Sequence, residues 1–151
     1  MAEVNGRLPD EVANNRKVLP DTLGKTLTAV CELPDLHAAI NIADTINFGI
    51  ILKKGTRILC PVTVSNGAGT AASTLAVGLR DAVTKVPIDA TAILAATAIT
   101  AAQTVQASSG TRLVDGQRYV LPVDAEIYGT IAGAATPVNQ RVRIEIPTIQ
   151  A

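Results

Sequence analysis

From residue 23 onward, apolar side chains recur at every second position, the period of a strand with one buried face. In residues 27–33, LTAVCEL, the side chains of Leu27, Ala29, Cys31 and Leu33 share a face, and Pro34-Asp35 ends the run. Residues 39–41 read as a further short strand. Residues 47–52 align Phe48, Ile50 and Leu52 before the charged turn Lys53-Lys54-Gly55, and residues 57–64 align Ile58, Cys60, Val62 and Val64. Pro61 falls on the opposite phase and has no N–H for a ladder, so it predicts an edge strand or a bulge. Residues 74–80 alternate Leu75, Val77 and Leu79 against Thr74, Ala76, Gly78 and Arg80, and residues 81–87 form a loop. Residues 88–98 are alanine-rich, with Asp89 placed as a cap, and predict a helix of one to three turns. Strands follow over 100–107, before the turn Ser108-Ser109-Gly110, and over 119–121. The last pair spans 126–131 and 140–146, joined by the small residues 132–139. Its second member is the clearest strand in the chain, with Val142, Ile144 and Ile146 inward and Arg141, Arg143 and Glu145 outward.

Together these make about eight short strands separated by Gly, Pro, Asn and Asp. Val, Ile and Thr supply 46 of the 151 residues, a β-branched weight that favours strands. The expected fold is all-β, an antiparallel β-sandwich with a jelly roll of about eight strands as the leading variant. Residues 1–22 differ from this body, residues 23–151. They are polar, carry Pro9 and Pro20, and show no clean period beyond a conceivable short helix over 9–15. They read either as a frayed terminus or as an extended arm that orders against a neighbouring subunit.

The reactive groups are few. Thirteen Lys and Arg balance thirteen Asp and Glu, so no basic excess exists to neutralise phosphates, which argues against nucleic acid as the main partner. Phe48, Tyr119 and Tyr128 are the only aromatics, too few for a base-stacking or sugar-binding shelf. His37 is the single histidine, and no zinc-ligand spacing or GxSxG turn accompanies it; it reads as a loop residue between strands. Gly67 and Gly69 lack the third glycine of a dinucleotide loop, and a strand follows them instead of a helix. Asp124 and Glu126 are the nearest acidic pair and read as a solvated sheet edge. Cys31 and Cys60 read as two small, reduced, strand-borne thiols. No apolar run is long enough for a secretory signal or a transmembrane helix. The expectation is a protein that is not an enzyme, with no cofactor, no metal, no small-molecule substrate and no membrane partner.

Alanine contributes 24 residues, and a buried alanine releases far less than the roughly 1.5–3 kcal/mol of a buried Leu or Ile. A sandwich padded this way would be thin by itself, which with zero net charge and apolar strands favours association over a lone monomer.

Residues 43–80, ADTINFGIILKKGTRILCPVTVSNGAGTAASTLAVGLR, lead a strand into a Lys/Gly turn, a second strand, a loop of small residues and a third strand. The closing segment DAEIYGTIAGAATPVNQRVRIEI forms a final hairpin-like pair. Over residues 40–80 and 118–147 the chain resembles the capsid decoration, or cement, proteins of tailed bacteriophages. That resemblance implies a jelly roll or related sandwich on the outer face of an icosahedral shell. It implies a dimer or trimer of the protein bridging neighbouring major capsid subunits, and it carries no active site. The N-terminal tract has no counterpart in it. If residues 1–22 are a clamp, its expected contacts are Arg7, Leu8, Arg16, Lys17, Val18 and Leu19, the apolar members filling grooves and the cations pairing with carboxylates. The competing expectations are another virion component, such as a head fibre base, tail or adsorption protein, and a non-viral β-sandwich binding module.

Overall fold

The computed structural model describes residues 3–5, 26–114 and 119–150. In chain order its elements are β1 (Glu3–Asn5), β2 (Thr26–Glu32), β3 (Thr45–Leu52), β4 (Thr56–Ile58), β5 (Val62–Asn66), β6 (Thr74–Asp81), β7 (Pro87–Ala98), β8 (Gln103–Ala107), α1 (Thr111–Val114), β9 (Ala125–Ala132) and β10 (Val142–Gln150). One sheet has the order β1-β3-β9-β6-β7 and the other β2-β10-β5-β8, with β4 also pairing to β10.

Setting aside β1 and β4, the remaining eight strands fall into four antiparallel pairs: β2 with β10, β3 with β9, β5 with β8, and β6 with β7. Each pair brings together strands from the two ends of the eight-strand run, moving inward step by step to the β6–β7 hairpin. That nesting of pairs across two sheets is the jelly roll. Strand β1 adds to it as a parallel neighbour of β3, with Glu3 beside Thr45 and Asn5 beside Asn47.

The period-two readings at residues 27–33, 47–52, 74–80, 126–131 and 140–146 coincide with β2, β3, β6, β9 and β10. Their predicted inward residues are buried, with Leu27 alone half-buried at the fraying start of β2.

Four local expectations need correction. Residues 88–98 are not a helix but most of β7, the longest strand. Ala92, Ile93 and Leu94 are buried in succession, and the pairing with β6 shifts register three times. These irregularities re-phase the strand and break the alternation that would have announced it. Helix propensity yields here to the burial gained by completing the sheet. The single strand expected over 57–64 is split into β4 and β5, because Pro61 cannot donate to a ladder; the Cys60–Pro61 bond is cis. Residues 39–41 are irregular, with Ile40 fixed by its N–H to Thr136 Oγ1 at 3.2 Å and its carbonyl to Thr136 N–H at 2.9 Å. Residues 119–121 contribute only an isolated bridge between Val120 and Arg57.

The core also departs from the alanine-padded picture. Among the described residues, its alanines are Ala29, Ala92 and Ala125, and the bulk is Phe48 with Ile, Leu and Val from both sheets. Ala107 packs half-buried against its edge. Phe48, Ile127, Leu75 and Ile144 are fully enclosed, so the interior is ordinary in side-chain size. The argument from a thin core to association therefore falls away.

Candidate interaction surfaces

Several titratable groups of the sandwich are paired with one another. Arg80 on β6 and Glu126 on β9 stand opposite in register, and Arg80 Nε donates to Glu126 Oε2 at 2.6 Å. Lys85 Nζ donates to the same oxygen at 2.9 Å, and the Arg80 guanidinium lies 5.4 Å from the centre of the Tyr128 ring. Burial pushes the Tyr128 phenol above its usual range, with the Arg80 charge opposing. Glu126 is 3% exposed, so it is not at a solvated sheet edge. Its burial follows from β9 lying inside its sheet, where both faces are covered.

Asp124, two residues earlier, serves another purpose. It accepts from Lys53 Nζ and from the Lys54 N–H, each at 2.8 Å, and pins the 53–55 turn against the start of β9. Those bonds hold its carboxyl below the usual range. Lys53-Lys54 is thus a turn fixed from across the sheet. Asp89 accepts from the Thr111 hydroxyl at 2.6 Å and the Thr91 N–H at 3.0 Å, with Arg112 Nε 3.1 Å away. Burial would raise its pKa, but the bonds from Thr111 and Thr91 and the charge of Arg112 together lower it. Arg112 also stacks over Tyr119 at 4.5 Å. Instead of capping a helix of its own, Asp89 ties β7 to α1.

His37 lies in the loop between β2 and β3, with Nε2 2.9 Å from the Gln140 carbonyl and Nδ1 2.6 Å from the Ala38 carbonyl. No side-chain nucleophile is bonded to its ring among the described residues. Cys31 and Cys60 are free thiols. Cys31 lies on β2, and Cys60 lies between β4 and β5, which pair with β10 from its other side. Burial pushes the Cys31 thiol far above its ordinary range, which leaves it unreactive at neutral pH. Among the described residues no cluster of His, Cys, Asp and Glu could hold a metal ion, and no helix is long and apolar enough to cross a membrane.

Two residues missed in the sequence organise one end of the sandwich. Asn66 Nδ2 donates to the carbonyls of Gly67 and Ala101, both at 2.8 Å. Gln140 Nε2 donates to Gly67 at 3.1 Å and Ile99 at 2.8 Å. Together they clamp the β5–β6 and β7–β8 loops. No spacing signals this, because the bonded residues are distant in sequence.

A solvent-open groove of about 550 Å³ lies where β2, β10, β5 and β8 meet this end, lined by Glu32, Asp35, Ser65, Gln103, Arg141 and Arg143 among others. Arg143 is committed to Glu32 at 2.7 Å and Glu145 at 2.8 Å. These bonds, Glu145 first, raise its pKa. Within the groove, Arg143 and Glu32 thus neutralise one another.

Exposed apolar side chains gather at both ends. Leu36, Ile42 and Val138 stand on the 33–44 and 133–141 loops, which are joined by the Asn139 N–H to His37 carbonyl bond. At the other end, Val83, Val86, Val120 and Val123 stand on loops joined by the Ala82 N–H to Asp124 carbonyl bond. Ordered loops carrying exposed valines suit protein contact better than small-molecule capture. The expected arm contacts Arg7, Leu8, Arg16, Lys17, Val18 and Leu19 lie outside the described residues.

No protein-family model matches the chain, and no curated protein matches it. Solved structures do. A chain in the capsid of Ralstonia phage GP4 superposes with a TM-score of 0.71 at 14% identity, covering 99% of each chain. A chain in the cyanophage Pam1 capsid asymmetric unit superposes with a TM-score of 0.62 at 17% identity, covering 92% of this chain and 96% of that one. At these identities the likeness is one of fold, and it extends over nearly the whole of both partners.

Proposed function

We propose that the protein is a structural component of a phage virion. In this reading it binds the outer surface of the capsid and bridges neighbouring major capsid subunits to stabilise the shell. The observation that carries it is the end-to-end likeness of fold to a chain of the Ralstonia phage GP4 capsid. Internal ion pairs such as Arg80 with Glu126 and Lys53 with Asp124, and apolar loop tips, support the same reading, since adhesion needs rigid contact surfaces and no reacting group.

Packaged genome pushes capsid subunits apart, and a bridging protein resists by adding buried interface across their junctions. A specific contact buries about 1,200–2,000 Å² in total. A protein that binds as a dimer or trimer gains further through repetition on a symmetric shell. Within this reading, residues 23–151 are the rigid body and residues 1–22 an arm. Arg7, Arg16 and Lys17 of the arm would face capsid carboxylates, and Leu8, Val18 and Leu19 would fill grooves between them.

The test is co-sedimentation of the purified protein with shells that lack it. Saturable binding and a higher shell-disruption temperature are expected. Replacing Arg7, Arg16 and Lys17 together by Glu should weaken binding while the thermal unfolding of the free protein stays unchanged. Shells that sediment without the protein would overturn the proposal, and unchanged binding by the triple variant would remove the arm from it.

A further inference from the structure

We propose that the edge of β8, unpaired among the described residues, is where two copies of this chain meet, joining their β2-β10-β5-β8 sheets into one continuous sheet. The inference rests on the reading above that the protein assembles with copies of itself, and it names the surface.

The outer strands differ in how they are protected. A strand edge exposes unpaired N–H and C=O groups and is ordinarily blunted by charge, proline, a bulge or a covering segment. On the five-stranded sheet, β1 occupies the outer side of β3, whose pairing with β9 is itself irregular. Strand β7 is bulged three times, and α1 packs against it. On the other sheet, β2 is entered from residues 6–25, outside the described residues. Among the described residues, strand β8 has none of these devices. Its sequence QTVQA contains no charge and no proline, and its five residues pair with β5 in unbroken register.

The sandwich is also incompletely closed along this strand. Val64 and Val62 of β5 are fully buried, yet their register partners Val105 and Ala107 on β8 are only half-buried, although both pack against the core. A strand laid along β8 would cover them. On the opposite face Thr104 and Gln106 are exposed.

The occupant that fits is the same strand from a second copy, antiparallel across a two-fold axis. Centred on Val105, this pairing sets Val105 against Val105, Thr104 against Gln106 and Gln103 against Ala107. Each polar contact is neutral, so no like charges oppose one another, and the formal net charge of zero adds no general repulsion.

The experiment is sedimentation velocity of the full-length protein without shells, across a concentration series. A dimer is expected. Thr104→Lys with Gln106→Lys places lysine opposite lysine twice across the axis and should weaken the dimer at least about ten-fold. Thr104→Lys with Gln106→Glu places lysine opposite glutamate and should restore it. Thermal unfolding of each variant shows whether the body is intact; both sites are on exposed positions, so folded variants are expected. A monomeric native protein, or a dimer equally stable in both variants, would overturn the proposal. Shell co-sedimentation is read separately, so a monomer that still binds shells would sink the edge pairing and leave the capsid reading standing.

Discussion

Removing the carboxylate of Glu126 by Glu126→Ala takes from the Arg80 guanidinium, 8% exposed, the countercharge that now sits 2.6 Å away. Breaking one side of a buried ion pair costs about 3–5 kcal/mol, most of it the penalty of the charge left behind. Lys85 adds little, because its side chain is 49% exposed and can turn to water. For a domain of this size each kcal/mol moves the midpoint by about 2–4 °C, so Tm should drop by roughly 6–20 °C. The informative companion is the double variant Arg80→Met/Glu126→Leu. It removes both charges and keeps apolar volume against Tyr128, and it should fall within about 1 kcal/mol of the native protein. Thermal unfolding followed by circular dichroism, with urea unfolding at fixed temperature, measures both variants, and the single variants Arg80→Met and Glu126→Leu complete the double-mutant cycle. If Glu126→Ala costs under about 1 kcal/mol, the pair behaves as an exposed one and the reasoning from burial fails.

Two further outcomes can be checked on the same instruments. A Cβ at Gly78 would lie 2.5 Å from the Asp89 carbonyl oxygen and 2.6 Å from Ala90 Cα, which are backbone atoms of β7. At Gly129 it would meet the Phe48 ring at 3.1 Å, a side chain able to shift. Gly78→Ala should therefore destabilise by at least about 1–3 kcal/mol, and Gly129→Ala by less; the reverse order would contradict the packing. The carboxyls of Asp81, Asp89 and Asp124 are held below their ordinary value of 3.8 by hydrogen bonds and cations. Such groups contribute stability that is present above that value and lost as pH falls through the folded-state pKa. Tm should decline from about pH 5 to about pH 2, and Asp89→Asn should flatten the decline; a flat native profile would refute the linkage.

Much of the body was legible because its inward positions alternate. In β2, β3 and β10 buried and more exposed residues alternate, so a single periodicity is written into the side chains. Strand β7 was not legible. Its bulges and its run of buried residues erase the alternation, and what holds it extended is β6, whose sequence lies elsewhere. The turn at Lys53-Lys54 was visible, but its anchor Asp124 was not, since a bond across 70 positions leaves no local trace. The same is true of the Asn66 and Gln140 clamp. Of the expected contact surface, the arm lies outside the described residues, while the exposed valines at the two ends emerge only once the loops that carry them are folded together.

Alternation and β-branched content established an all-β sandwich with inward faces named residue by residue, because burial on one side of a pleat must repeat every two positions. Composition reduced the chemistry to a single histidine and scattered carboxylates. Tertiary structure alone decided the rest: which strands pair, that Glu126 is buried beside Arg80, that few alanines enter the core, and that among the described residues β8 has an open edge. Each of these depends on which distant segment arrives at a given surface, and free energy is exchanged there by contact in space, to which spacing along the chain is blind.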